Sequence, residues 1–494
     1  MLTRLRVKGF KNLVDIDVRF GPFTCIAGEN GVGKSNLFDA ITFLSRLADR
    51  PLIEAAMSIR DEPGRAGDPR GIFHHSGSRY ADHVEFDAEM IVPREGTDDL
   101  GQDVEATTTF LTYGLTIRYR KTNGASGLEV LREELKHIPK GQASQHLRFP
   151  HKARGWRDGV VTGTGTAHRT APFISTEPGE GVVLLHQDKQ GRPRRFRAET
   201  LPRTVLSTAN ASEGATVTLA RRELQSWRLI QLEPSSLRRS SPFQAPVMLG
   251  ADGANLASTL HHLAKSLPGR SGGEERVFSE VAHRLAELID DVKTVSVDID
   301  EKRELFTVQV TSKDGTVYPA KALSDGTLRF LALAVLAQDP STTGVLCMEE
   351  PENGIHPSRI PAMISLLESI ALSPHDPSGL DNPLRQVIVN THSPLVVQEV
   401  NAADLLFAYL RERVRPSSQE RYRDLAFGCL EQTWRAQSSH SSVVPRSILL
   451  PYMENRRVSF PRERDFSMGQ PRPMMRLGDV LQQMKLSFGA GERG

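Results

Sequence analysis

Residues Gly28-Glu29-Asn30-Gly31-Val32-Gly33-Lys34-Ser35 fit the spacing GxxxxGK followed by Ser or Thr in full. Glycines at these places let backbone N–H groups turn inward around a phosphate, a lysine adds a point charge to the outer phosphate oxygens, and a hydroxyl ligates Mg²⁺. Gly28, Asn30, Gly31, Gly33, Lys34, Ser35 and Asn36 are therefore the candidate phosphate contacts, with Ser35 also a metal ligand. An apolar run, Phe23–Ala27, precedes the motif, and Leu37, Ile41, Leu44 and Leu47 follow it at helical spacing. The loop thus falls between a strand and a helix, where this chemistry needs it.

Far down the chain, Val345-Leu346-Cys347-Met348-Glu349-Glu350-Pro351 is an apolar strand ending in two carboxylates. Such a pair suits phosphoryl transfer: Glu349 is assigned to the Mg²⁺ shell, and Glu350 to orienting or deprotonating the attacking water. By itself the segment reads as a buried strand with solvated charges at its end; the phosphate loop in the same chain favours the chemical reading. Leu323-Ser324-Asp325-Gly326-Thr327 precedes an apolar helix, so a hydroxyl and backbone N–H groups gather at a helix N-terminus that the chain's own phosphate loop does not need. Val387-Ile388-Val389-Asn390-Thr391-His392-Ser393 is a buried strand ending in a histidine. Alone, Ser324 reads as a plain N-cap and His392 as a satisfied loop histidine.

The elements that must position these residues follow from periodicity. Leu2 to Ala27 alternates with turn residues between runs, which predicts three strands before the first helix. From about 50 to 200 the chain is rich in Gly, Thr, Arg and Pro, with strand-like runs at Thr107–Arg118 and Val182–His186, and reads as an irregular, β-rich insertion. Helical spacing returns at Thr216–Trp227, Leu256–Leu267 and Glu274–Val292, followed by strands at Thr294–Ile299, Leu305–Thr311 and Thr316–Ala320. Alternating helix and strand from Leu323 to Val400 reads as half of an α/β head. The expected organisation is 1–50, first half of the head; 51–290, inserted lid and helical region; 291–400, second half; 401–494, an Arg-rich tail with Pro461, Pro471 and Pro473.

The order phosphate loop, LSDGT, strand-EEPENGIHP and strand-THSP resembles the ABC-type ATPase heads of the SMC/RecF and OLD-like group. The opening LRVKGFKNLVDIDVRFGPFTCIAGENGVGKSNLFDAI is similar to that group's N-terminus throughout, and the likeness covers about 1–50 and 295–400. Trp227–Arg238, ending LEPSSLR, also resembles small prokaryotic members used in phage defence. The resemblance implies an α/β, ABC/SMC-type P-loop NTPase head with an antiparallel N-terminal β-subdomain and an inserted irregular lid. It implies ATP and Mg²⁺ as cofactors, and a homodimer or higher even-numbered oligomer closing around ATP. Ser324 and Gly326 would then contact the γ-phosphate held by the other copy, Glu350 would be the catalytic carboxylate, Asn353 to His356 the D-loop equivalent, and His392 the switch histidine. Two departures stand out: Glu349 replaces the commoner Asp, and no glutamine occurs before Gln102, which leaves His74 or His75 as stand-ins for the usual Q-loop residue.

Composition narrows the class. Lys+Arg (62) and Asp+Glu (60) nearly cancel, so no global basic field announces nucleic acid. Three cysteines, two of them inside apolar runs, argue against a disulfide framework, and no apolar run approaches the roughly 18 residues that span a bilayer. A cytoplasmic protein with no membrane partner is expected. The short insertion lacks the heptads of SMC arms, and a transporter ATPase is disfavoured because such subunits are usually shorter, start differently and couple through the Q-loop region, which is irregular here. After Asn401 there is no D-x-D, so no nuclease activity in cis is expected. Arg192-Pro193-Arg194-Arg195-Phe196-Arg197 and Arg238-Arg239 could track DNA, and Arg411, Arg413, Arg415, Arg421 and Arg423 could do so or dock an acidic partner; the plain reading is solvated charge. The expected function is an ATP-driven sensor in prokaryotic anti-phage defence that controls an effector, a nuclease or toxin supplied in trans. The alternative is a RecF-like repair clamp that binds DNA in an ATP-dependent way.

Overall fold

A computed structural model of the chain describes residues 1–59, 68–77, 79–122, 125–163, 171–188, 191–266, 273–414, 421–437, 442–444 and 452. Alternating apolar and charged residues form β1 (Leu2–Phe10) and β2 (Leu13–Arg19), an antiparallel pair turned at Lys11, whose φ is 47°. The all-buried β3 (Phe23–Ala27) then runs into the phosphate loop and α1 (Ser35–Leu47). Next come β4 (His83–Ile91), β5 (Phe110–Thr122), β6 (Ala125–His137), β7 (Ile174–Glu177), β8 (Val182–Leu185) and β9 (Arg194–Arg197). With β1 and β2 they make one eight-stranded antiparallel sheet, in the order β9-β8-β7-β6-β5-β4-β1-β2.

Six strands of the region that the sequence reads as an irregular, β-rich insertion, β4 to β9, join β1 and β2 in one sheet and so extend the N-terminal antiparallel β-subdomain. Ala125–His137 is rich in Glu, Leu, Arg and Lys, residues with little strand preference, and pairing with β5 along its length decides its state.

After α2 (Ala215–Gln225) the chain enters a second sheet with β10 (Arg228–Ile230). It continues through α3 (Leu256–Ser266), α4 (Gly273–Ala286), the antiparallel pair β11 (Val292–Asp300) and β12 (Leu305–Ser312), and α5 (Asp325–Gln338). Then follow β13 (Gly344–Glu349), α6 (Ile360–Ile370), β14 (Arg385–Thr391), β15 (Leu405–Val414), β16 (Arg421–Leu430) and β17 (Ser442–Val444). The second sheet has the order β10-β13-β14-β3-β15-β16-β17, parallel from β10 to β15. Both faces of its strands are covered, as parallel sheets require. Val345 and Cys347 point into the core shared with α1 and the antiparallel sheet, whereas Leu346 and Met348 point into the core under α3 to α6.

Leu405–Val414 and Arg421–Leu430, set apart in the sequence as part of an Arg-rich tail, are sheet strands. The arginines misled because two of them, Arg411 and Arg413, lie in the sheet paired with the fully buried Asp424. Beyond β16, the buried Arg435 donates to the Arg19 and Ala403 carbonyls and to Thr24 Oγ1, pinning this segment to the start of β3. Pro461, Pro471, Pro473 and Arg415 lie outside the described residues. Among the described residues no helix is long and apolar enough to cross a membrane.

Candidate active site

Register across the parallel sheet assembles the site. Ala27 pairs with Thr391 and Glu349 with Asn390, so β3, β14 and β13 end at one level. Gly28, His392 and Glu350 therefore leave the sheet at the same, C-terminal edge, where open α/β sheets bind ligands. A cavity of about 530 Å³ opens there, lined by Asn30, Gly31, Gly33, Lys34, Ser35 and Asn36 on one side and by Glu349, Glu350, Asn353 and Asn390 on the other.

The phosphate loop is braced from the β1–β2 turn. Asn12 Nδ2 donates to the Val32 carbonyl at 3.0 Å, and Asn36 Nδ2 donates to Asn12 Oδ1 at 2.7 Å. Gly33 has φ 98°, and a Cβ on it would stand 2.0 Å from Asn12 Nδ2, so backbone strain and space both demand glycine. Lys34 Nζ rests on the carbonyls of Gly28 (2.7 Å) and Glu29 (2.9 Å). Burial pushes this ammonium below its usual range, against the pull of Glu350, Glu352, Glu349 and Glu29. An ammonium held in so acidic a rim is suited to meet a polyphosphate.

Ser35 and Glu349 line the same cavity, and Gln231 Nε2 donates to Glu349 Oε2 at 3.2 Å. Among the described residues no three His, Cys, Asp or Glu side chains converge to hold a metal by themselves. This donor set fits Mg²⁺, which binds through a few protein oxygens plus substrate phosphates and waters. Ser35 and Glu349 would hold it, and when bound it would neutralise charge on the terminal phosphates.

Glu350 follows β13 with φ 46°, a left-handed turn that costs a non-glycine residue strain. Its backbone N–H donates to the Asn390 carbonyl (3.0 Å), and its carboxylate is held by Asn353 Nδ2 (3.0 Å) and His392 Nδ1 (2.6 Å). Burial by itself raises the carboxyl, but the hydrogen bonds from Asn353 and His392 and the charge of Lys34 hold it below the usual range. An ionised, oriented carboxylate on the cavity wall opposite the phosphate loop can take a proton from a water placed between them. Glu352 lies deeper, bonded to Thr391 Oγ1, and burial raises its carboxyl.

Ser324 and Gly326 do not line this cavity. Ser324 caps α5, its Oγ accepting from the Thr327 N–H at 3.2 Å. A Cβ on Gly326 would come within 2.2 Å of the Gly354 carbonyl, so the LSDGT turn packs directly on the Asn353–Gly354 loop. His74 is tied to the Lys11 carbonyl and His75 stacks on Tyr80; neither lines the cavity. The glutamine that does is Gln231.

A family model described as "AAA domain, putative AbiEii toxin, Type IV TA system" matches residues 212–398, and one described as "AAA domain" matches residues 4–46. These are the two stretches whose residues meet across the cavity. Over those two stretches the chain is similar to AAA domains. A 41-residue stretch is 54% identical to an OLD nuclease of Thermus scotoductus, covering 8% of this chain and only 8% of that protein. Solved SMC heads superpose loosely on this chain. One bound to the C-winged helix domain of ScpA gives TM-score 0.44 at 14% identity, covering 87% of this chain and 98% of that one. Another, from Pyrococcus furiosus with the C-terminal domain of ScpA, gives 0.43 at 12%, covering 87% and 96%. One from Thermotoga maritima gives 0.36 at 12%, covering 87% and 99%.

Several residues of the head's site escaped the sequence reading. Gln231, Asn390 and Arg329 line the cavity, and Arg329 also donates to the Leu232 and Asn353 carbonyls. Gln231 sits just past the three-residue β10, which pairs with β13. Its signal in the sequence was the LEPSSLR stretch beside it, with nothing local to say which strand it would join.

Proposed function

We propose that this ATPase head hydrolyses ATP with Mg²⁺ at a site that a second copy of the chain completes. The closed and open states would act as the switch of a cytoplasmic anti-phage defence system, controlling an effector supplied by another polypeptide. The observation that carries hydrolysis is Glu350, ionised and held by His392 and Asn353 on the wall facing Lys34. Composite assembly is supported by Ser324, an exposed cap at a helix N-terminus that stands outside the chain's own cavity and can share its hydroxyl with another copy's nucleotide.

The defence role draws on names: a toxin of a type IV toxin–antitoxin system in the matched family's description, and an OLD nuclease as the short match. An effector in trans fits the carboxylates after Asn401, since Asp424 is fully buried between Arg411 and Arg413. The ATPase would then control its partner by binding it better in one nucleotide state than the other. The basic cluster is a poor DNA tracker, because Arg194 is paired with Glu213, and Arg195 with Glu177 and Glu180.

Mixing two inactive variants tests the composite site. Lys34→Ala lacks a working phosphate loop and Ser324→Arg lacks a working trans contact, yet a mixed dimer has one intact site. Hydrolysis should reappear on mixing and peak near equal amounts. No recovery at any ratio, with Ser324→Arg still binding ATP, would refute assembly in trans.

A further inference from the structure

A second cavity, of about 710 Å³, opens at the other end of the parallel sheet, where β3 and β15 begin. Its walls differ from those of the nucleotide site. Pro22, Phe23, Phe149 and Leu372 make an apolar lining, and Asp404 presents its carboxylate from the start of β15. Asp376 and Asp381 stand on the loop between α6 and β14, and Glu368 on α6, so carboxylates outnumber the one basic lining side chain, His375.

Asp404 is the unusual member. Its main chain is used, the carbonyl accepting from Cys25 N–H at 2.9 Å, but its carboxylate receives no hydrogen bond among the described residues. The nearby Arg435 does not supply one: its Nε, Nη1 and Nη2 are directed to the Arg19 carbonyl, the Ala403 carbonyl and Thr24 Oγ1. Burial pushes the Asp404 carboxyl up to about 6, against the pull of Arg435. Asp404 is only partly shielded from solvent, so its carboxylate stays available at the cavity surface to pair with a cation. The cavity is within the size range of small-ligand sites, which pair apolar walls with a few placed polar groups.

We propose that this cavity is a second binding site, taking a guanidinium or ammonium group on an aliphatic stem. Asp404 receives the cation, the stem lies on Phe23, Phe149 and Leu372, and Asp376 and Asp381 attract positive charge to the mouth. Aromatic walls favour such ligands twice, by contact with the stem and by the attraction of a ring face for a cation. The same chemistry is offered by a free small cation and by an Arg or Lys side chain of a polypeptide.

Calorimetric titration of the full chain with argininamide, with its neutral isostere citrullinamide, with spermidine and with a capped Arg-containing peptide tests the site. Argininamide should bind once per chain, and at least about tenfold tighter than citrullinamide, the scale of one charge-assisted hydrogen bond. Asp404→Asn should remove that preference, while Lys34→Ala, at the other end of the sheet, should leave it unchanged. Asp381→Lys, a charge reversal on the exposed rim, should weaken argininamide severalfold and serves if Asp404→Asn fails to fold. Preference for argininamide or spermidine over the peptide assigns the site to a free cation, and the reverse order assigns it to a polypeptide side chain. Equal binding of argininamide and citrullinamide, no binding at millimolar concentration, or full affinity in Asp381→Lys overturns the proposal.

Discussion

Helices α1 and α5 both begin at a Gly-containing turn at the phosphate-loop end of the parallel sheet, but their first turns are finished differently. At α1 the N-cap position is Lys34, in helical conformation with no side-chain capping bond, and Lys34, Ser35 and Asn36 line the 530 Å³ cavity while the Asn36 and Leu37 N–H groups donate to the Gly33 and Lys34 carbonyls. At α5 the cap is Ser324, in extended conformation and bonded to Thr327, with the Gly354 carbonyl packed on Gly326. An uncapped N-terminus is an anion site as it stands, whereas a capped one is a stable helix start that must share its hydroxyl and N–H groups to bind anything. The first can hold phosphate within one chain; the second needs a phosphate brought to it.

Lys34→Ala strikes the first helix and should have the largest effect: ATP binding lost, and turnover down by about 10³-fold, the scale of removing a preorganised donor from developing charge. Near-normal turnover of the purified variant would remove α1 from the comparison. Glu350→Gln should retain ATP binding and slow hydrolysis by about 10²-fold or more, the contribution of a positioned base. Light scattering should then find ATP-dependent dimers that persist, and unchanged hydrolysis would shift the role to another carboxylate.

Substitutions at Ser324 separate the cap from the anion contact. Ser324→Ala removes the cap and should cost about 1 kcal/mol of stability in thermal or urea melts. Ser324→Asp caps equally well and should melt like the parent, yet it sets a like charge against an incoming phosphate, so hydrolysis should fall by about tenfold or more. If Ser324→Asp hydrolyses ATP like the parent, the hydroxyl is only a cap. The smallest effect is expected from Asn353→Ala, read in the pH profile. Glu350 is depressed in the folded head, so its charge and the stability tied to it are present above the unfolded value and are lost as pH falls through the folded one. Removing the Asn353 hydrogen bond lets the carboxyl rise, and the acid limb of the hydrolysis rate should move to higher pH. An unmoved limb would mean that His392 and Lys34 set Glu350 without Asn353.

Much of the phosphate-loop side was legible because it is local. Strand, glycines, Lys34 and helix are consecutive, and each is dictated by sterics and hydrogen bonding within a few residues. The opposite wall was legible only in pieces. Glu350 could be marked from the strand before it, but its partner His392 comes from the end of another strand, and the left-handed turn that aims it has no signature in Glu-Glu-Pro. Gln231 was passed over because three residues of strand carry no period, and the Arg-rich run from 411 to 423 hid two strands behind charges that Asp424 neutralises.

Sequence by itself determined that a phosphate loop lies between a strand and a helix, that carboxylates and a histidine end two buried strands, and that α5 begins at a serine. Only the tertiary structure decided that these meet, because the order β10-β13-β14-β3-β15 joins strands far apart in the chain, and a one-residue change of register would carry Glu350 and His392 off the phosphate edge. Pairing of distant strands is a choice among many apolar runs of similar preference, made by the packing of two cores against both faces of one sheet.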